Sequence, residues 1–551
     1  MENRIQILKD KMLSQPRYVS IEQALIITRT YKEHEGESSQ MKRAYALYNA
    51  LNELEIGVEP EELIVGNRTK GVRYGVVFPE SGISWVDQEL ETIDSRPQDR
   101  FQVRPEDIET FRKEILPYWK GKSLEDVLRK RAGDQIDAIS KVVKINQKDH
   151  AQGHICPNVA EWLQKGPQGL KEEASQHLKN CTEEQKDFYR SIVLIMEGVQ
   201  KFMMRYHDLL LQEADTSPEH AATMKQVAEI CANLSKHPAR TFHEAVQSMW
   251  FLFVILHMES NASSFSPGRL DKTLYPYYKK DKEELLINDQ EALEIIECLW
   301  LKFNQIVYLR NKNSAKYFAG FPIGFNIAVG GVDENGQDFS NELSHLFLTA
   351  QEELGLPQPN LSVRLHEHTN EELLRHAVKV VSKGSGMPQF FNDKAIVHEL
   401  EKLGISHKDA LDYAIVGCVE LTTQGNNLGW SDAAMFNMNK VLELTLNHGK
   451  CLLTGQQLGP DLGSLSTYQN FDALQEAFKK MMLYFIDKMI PCCEEVEKAH
   501  IDILPTGFLS SVIDDCMEKG LDVTKGGAHY NLSGIQMIQV ANLADSLAAI
   551  K

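Results

Sequence analysis

A chain of 551 residues, 42% hydrophobic and 25% charged, is long enough to bury an extensive core. Its formal charge of −19 and pI near 5.5 exclude a nucleic-acid partner, because no basic stripe offsets the acid. The longest mainly apolar run, residues 249–258, is too short to span a bilayer, and the opening MENRIQILKDKMLSQ mixes charges into its apolar positions, so a cytoplasmic protein without a membrane is expected.

Residues 1–320 carry mainly helical patterns. Ser20-Ile21-Glu22-Gln23 has the form of a capping box and predicts an amphipathic helix through Thr28. A loop-rich stretch over 61–105 follows, punctuated by Pro79, Gly82 and Pro97. Helical periodicity resumes near Ser175. It does so again at Thr241-Phe242-His243-Glu244, a second capping box leading into the apolar run at Met249, which predicts a buried helix.

From about residue 320 the pattern changes. Short apolar runs at 325–331, 361–365 and 413–417 end in glycine or polar turns and alternate with helices such as 371–382. That alternation predicts a parallel α/β sheet or barrel, whose chemistry sits where strands end and loops begin. The candidate loops are 384–386, 391–393 and the one after Val416. Residues 537–551 predict a helix with Val540, Leu543, Ala544 and Leu547 on one face, without a terminal glycine or proline. The nine cysteines include no Cys-x-x-Cys pair and no three-cysteine cluster motif, so free thiols and no metal are expected. Cys492 and Cys493 fall in a helical context and are expected to pack.

Tyr413-Ala-Ile-Val-Gly-Cys-Val-Glu420 is the sharpest constellation. A strand runs into glycine, then Cys418, with Glu420 two residues on, so both side chains can face one side of an extended tip. A carboxylate beside a thiol raises the thiol pKa and disfavours thiolate chemistry. It suits a sulfur that abstracts a hydrogen atom while the carboxylate removes a hydroxyl proton. A buried structural cysteine beside an exposed glutamate is the competing reading of this pair alone.

The stretch Gly417-Cys-Val-Glu420 with Gly429-Trp-Ser-Asp-Ala-Ala-Met-Phe-Asn437 is similar to the active-site region of glycyl radical diol dehydratases and choline lyases. The resemblance extends through Glu62–Asn67, Gly153-His154, Glu259-Ser-Asn261, Ser266–Asp271, Gln358–Arg364, Gly526–Asn531 and Asp545–Ala549. The string from Glu259 to Ser264, with Arg310 to Pro322, looks closest to pyruvate formate-lyase-like bacterial proteins. The resemblance implies a ten-stranded α/β barrel of two five-stranded half-barrels with the Cys418 loop inside. The whole of 1–551 is then one pyruvate formate-lyase-like domain, mainly helical over 1–320 and barrel-rich over 320–551. It also implies a homodimer, a small-molecule substrate and a separate radical S-adenosylmethionine activating enzyme that installs a glycyl radical. That radical glycine normally lies in an Arg-Val-x-Gly-Tyr segment. No such segment occurs in these residues, so no cofactor is expected to bind here and the chain alone is expected to be silent, as a truncated enzyme or half of a split one.

By the same resemblance Cys418 becomes the thiyl radical, Glu420 the base, and His154, Ser264 and Asp432 the substrate contacts. Asp432 could instead cap a helix beginning at Ala433, and Ser264 could serve a turn. The loop 321–325 should line the pocket through Ile323 and Phe325. Asp271 is weighted as structural. Leu421, Ser263 and His529 depart from the diol-dehydratase pattern, where Pro, His and Arg are usual, and leave the substrate open. Formate acetyltransferase chemistry, which needs two adjacent cysteines, is disfavoured because Gly417 precedes Cys418.

Overall fold

The computed structural model describes residues 4–319 and 323–551. Its helical bulk is organised by Phe242–Glu259, a helix apolar on every face and buried along all of its 18 residues. Thr241 caps it through Oγ1, which accepts from Glu244 N at 3.2 Å, but the reciprocal half of the box does not form. The Glu244 carboxylate instead accepts from Arg240 N at 2.7 Å. The longest helix, Glu183–Thr216, opens on a complete capping box between Thr182 and Gln185 and packs on helices Ser39–Glu53, Val159–Leu178 and Ala221–Leu234. The pattern expected from Ser175 therefore belongs to a helix that begins at Val159. Cys492 and Cys493 lie in helix Phe471–Ile503, the first buried and the second half-buried, and all nine cysteines are free.

The box expected at Ser20 is not a cap. Val19–Ser20 forms strand β1, paired in parallel with β2 (Gly75–Val76), and the helix runs over Glu22–Glu33 behind Ile21. Pairing with a distant segment holds Ser20 extended and overrides the local motif. The loop-rich reading of 61–105 holds apart from the two residues of β2 and the short helix Ser84–Glu89.

Three strands fall where the apolar runs place them. After β3 (Val143–Ile145), β4 (Asn326–Gly330), β5 (Asn360–Leu365) and β6 (Gln389–Asn392) form a parallel sheet, ordered β4-β5-β6. Helices Glu342–Leu354 and Glu371–Val381 make the crossovers, as parallel pairing requires. β7 (Ala414–Val416) and β8 (Glu420–Thr422) are an antiparallel hairpin lying between β4 on one side and β9 (Trp430–Asn437) on the other. β9 is flanked by β3, antiparallel, and β10 (Ser533–Ile538), parallel. Among the described residues these ladders remain separate sheets of two or three strands and close no barrel.

Two expectations and one alternative are corrected here. Residues 391–393 are no loop, since Phe391 and Asn392 end β6 and Asp393 starts helix Asp393–Lys402. Asp432 cannot cap a helix at Ala433, because both lie in β9, and the helix begins at Met438 under Asn437. Met537 and Ile538 belong to β10, and the terminal helix is Val540–Ile550.

Buried ion pairs fix the strand ends. Arg364 on β5 grips Asp393 through Nε at 3.0 Å and Nη2 at 2.8 Å, and donates to the carbonyls of Leu411 and Tyr413 that lead into β7. Asp271, fully buried, accepts from Gly330 N and Ser344 Oγ, both at 2.7 Å, which gives it the structural role expected of it. Among the described residues no helix is long and apolar enough to cross a membrane.

Candidate active site

β7 ends at Val416 and β8 returns at Glu420, so Gly417, Cys418 and Val419 are the tip of a hairpin. Gly417 has a φ of +61°, and a Cβ there would lie 2.4 Å from His154 Cδ2, so only glycine fits. Its carbonyl accepts from the side-chain amides of Asn326 at 3.0 Å and Asn360 at 2.8 Å. Its N–H donates to Ser266 Oγ at 3.3 Å. The tip is thus pinned to β4, to β5 and to the segment that follows the central helix.

Glu420 does not stand beside the thiol on an extended strand. Its carboxylate folds back on the turn, and Oε2 accepts from Cys418 N at 2.9 Å and Val419 N at 3.0 Å. Oε1 accepts from the Gln536 amide on β10. His154 Nε2 lies 3.8 Å from Oε2. Cys418 is an open residue at the tip, with its thiol set among the cavity walls. Burial within the cleft, then the Glu420 and Asp432 carboxylates, push its thiol up to about 11, against the pull of Arg310. At neutral pH the S–H bond is intact, which suits hydrogen-atom transfer and not thiolate attack.

His154 and Ser264 both adopt left-handed backbone, with φ of 60° and 65°. Their segments run side by side. His154 N donates to Ser263 O at 2.9 Å, Ser266 N to Ile155 O at 2.9 Å and Ser264 N to Ile323 O at 3.0 Å. A Cβ at Gly153 would sit 1.9 Å from Ser263 O, and one at Gly324 would sit 2.3 Å from Ser264 Oγ. Glycines at 153 and 324 therefore let the two segments close on each other and aim His154 and Ser264 inward. Non-glycine residues held at positive φ cost about 1–3 kcal/mol and cluster at functional sites.

These elements enclose a cavity of about 250 Å³ that brings together Cys418, Glu420, His154, Ser264, Asp432 and Ile323. It is smaller than the ~300–1,000 Å³ of drug-sized pockets. Asp432 accepts from Asn146 Nδ2 at 2.7 Å. Burial raises its carboxyl, His154 opposes this, and Glu420 adds to it. His154 Nδ1 is buried with no partner among the described residues. Phe325 does not line the cavity. Its ring packs on Phe303 (centroids 4.7 Å apart), Trp250, Phe253 and His257 in the core. The turn at Gly324, φ +93°, leaves Ile323 on the cavity side and carries Phe325 into the core as β4 begins. Phe321 and Pro322 of the expected pocket loop lie outside the described residues.

Other lining residues escaped the sequence reading. Lys144, Met435 and Gln536 lie in one register across β3, β9 and β10. Lys144 carried a usable signal, the alternation Val143-Lys144-Ile145, buried, exposed, buried. Gln536 was hidden because the strand ends where a helix was expected. His150, held through Nδ1 by Asp149 Oδ1 at 2.8 Å, Arg310 and Phe318 are also in the wall. Among the described residues no His, Cys, Asp and Glu group has the geometry of a metal site.

A family profile described as Pyruvate formate lyase-like matches residues 1–551. The (2S)-3-sulfopropanediol dehydratase of Klebsiella oxytoca is 31% identical over 566 residues, covering 100% of this chain and 68% of that protein. The trans-4-hydroxy-L-proline dehydratase of Clostridioides difficile is 30% identical, covering 100% and 71%. The glycerol-bound B12-independent glycerol dehydratase from Clostridium butyricum superposes with a TM-score of 0.95 at 35% identity, covering 100% of this chain and 70% of that one.

Proposed function

The chain belongs to the pyruvate formate lyase-like family of glycyl radical enzymes, and from that premise we propose a radical dehydratase or lyase that eliminates a leaving group from a small hydroxylated substrate at Cys418. The observation that carries this is a protonated thiol at a hairpin tip, sharing one cavity with Glu420, His154 and Asp432. Such a site fits the family's glycyl radical, which when installed supplies the oxidising equivalent that leaves Cys418 as a thiyl radical.

The rest is done by side chains of this chain. Cys418 sulfur takes the hydrogen atom from the carbinol carbon. Glu420 takes the hydroxyl proton, since a hydroxyalkyl radical is far more acidic than its alcohol. The neighbouring group leaves with a proton from Asp432, whose carboxyl burial favours in the protonated form, or from His154. The product radical recovers its hydrogen atom from Cys418, so the thiyl is regenerated and the net change is loss of the leaving group. Ser264 and Ile323 would orient the substrate. Cys418 is the one cysteine among the lining residues, so the second thiol that formate acetyltransferase chemistry requires has no counterpart there.

In this reading these sheets are part of the ten-stranded α/β barrel that the family resemblance implies, with β3 contributed from the mainly helical 1–320 portion. The same reading includes a homodimer, a radical S-adenosylmethionine activating enzyme as partner, and a cytoplasmic setting, which the nine free thiols support. The test is anaerobic activation, with the activating enzyme, S-adenosylmethionine and reductant, of protein in which these residues are present together with the family's glycyl radical segment. Carbonyl product is then assayed from small diols and hydroxylated acids. Product from wild type and none from Cys418→Ala is expected; equal product from both would reject the reading.

A further inference from the structure

Two cations, Lys144 and Arg310, line the Cys418 cavity together with the Asp149, Glu420 and Asp432 carboxylates. Lys144 on β3 stands in register with Met435 on β9, which in turn pairs with Gln536 on β10, whose amide binds Glu420. Adjacent strands lie about 4.8 Å apart, so the backbone carrying Lys144 is roughly two strand spacings from the one that positions the Glu420 carboxylate. The Lys144 ammonium lies 5.3 Å from the centroid of the Phe318 ring, and the Arg310 guanidinium lies 5.4 Å from the same centroid. Arg310 also donates from Nη1 to Phe318 O at 3.0 Å, which fixes its approach. All three residues line the cavity.

The carboxylates around Lys144 are otherwise engaged. Asp149 holds His150 at 2.8 Å and Asn311 at 3.0 Å, and Asp432 holds Asn146 at 2.7 Å. Both act on Lys144 from a distance, and no carboxylate contacts its ammonium among the described residues. The cavity walls desolvate part of Lys144, otherwise exposed on β3, and lower its pKa, and Arg310 is buried beside Phe318 with its pKa lowered as well. Arg310 also acts on the Cys418 thiol, which places that cation within electrostatic reach of the reacting centre. A neutral polyol would leave the two cations where they are; an anion between them would be bound by both.

We propose that the substrate is a short hydroxylated anion, carrying a carboxylate or sulfonate on the same carbon chain as the reacting hydroxyl. Lys144 and Arg310 hold its charged head against the edge of Phe318, and its carbinol end reaches Cys418 and Glu420. This rests on the dehydratase reading above, but binding needs no radical and is tested apart from it.

Titration calorimetry on the protein with glycerol, glycerate and 2,3-dihydroxypropane-1-sulfonate separates the possibilities. At least one anion should bind about tenfold more tightly than glycerol, a preference that weakens as KCl is raised. Comparison of the two anions identifies which head group the site takes. Lys144→Met should weaken the preferred anion about tenfold and leave glycerol unchanged, while Lys148→Met, outside the cavity, should change neither. Glycerol binding as tightly as both anions, anion binding untouched by Lys144→Met, or no binding of any probe would each overturn the proposal. Glycerol binding without preference would still leave the radical chemistry of Cys418 and Glu420 standing.

Discussion

Replacing Glu420 by glutamine removes one negative charge beside Cys418 while keeping the turn that charge organises. The amide oxygen of glutamine can accept from Cys418 N and Val419 N as Oε2 does now, so the hairpin tip should keep its shape. The thiol is pushed up to about 11 by burial first and Glu420 next. A like charge in contact range contributes about one to three pKa units, and the low end suits a cleft open at the tip. A fall of one unit gives about tenfold more thiolate at pH 8, and the weaker nucleophile returns about threefold of that, since reactivity falls with a Brønsted coefficient near ~0.45. Glu420→Gln should therefore react about threefold faster at Cys418 with a small neutral disulfide. The labelled peptide is read by mass spectrometry, so that Cys451, whose thiol is lowered to about 7 by hydrogen bonds from Thr454 and Lys440, is counted separately. An unchanged or slower rate at Cys418 would refute the electrostatic coupling on which the base assignment depends. In turnover the same variant should lose roughly 10²–10⁴-fold in rate, the usual cost of removing a general base.

Gly417→Ala forces a Cβ to within 2.4 Å of His154 Cδ2 at positive φ, and should cost about 1–3 kcal/mol, seen as a lower thermal midpoint. Asp393→Ala strands the buried Arg364 guanidinium and should cost about 3–5 kcal/mol by urea denaturation; a loss under 1 kcal/mol would show that the pair does not brace β5 and β6. Glu125 is raised to about 7 from its ordinary 4.5, by burial first and by Asp149 next, so its charged form opposes folding above pH 7 and that penalty fades as pH falls toward 4.5. Glu125→Gln should then stabilise the protein at pH 8 by about 1–2 kcal/mol, after discounting for solvent screening, and hardly at all at pH 4.5. A gain independent of pH would contradict the assignment.

The strands over 326–330, 360–365 and 414–416 were legible because fully buried strands read as short apolar runs, in the parallel sheet and in the β7–β8 hairpin alike, and the central helix because it is apolar on every face. What failed were local motifs overruled by distant partners. Ser20 looked like a cap but pairs with Val76, and the capping alternative weighed beside the substrate role of Asp432 falls because that residue lies in a strand whose neighbours come from residues 143–145 and 533–538. The Cys418–Glu420 pair was visible, but the fold of Glu420 back onto its own turn was not, since it needs the positive φ of Gly417 and the amide of Gln536. Phe325 was misplaced because spacing alone cannot tell which side of the Gly324 turn faces the cavity. Lys144 and Arg310 meet at Phe318 from segments more than 160 residues apart, which no local pattern encodes.

The central claim is that Cys418 sulfur carries the hydrogen atom, and substrate deuterated at the carbinol carbon tests it most directly. In the reconstituted, radical-bearing enzyme, a primary kinetic isotope effect on product formation is expected with wild type, and no turnover with a folded, radical-bearing Cys418→Ser. Turnover by Cys418→Ser with the isotope effect retained would show that another group abstracts the hydrogen atom, and would contradict the account.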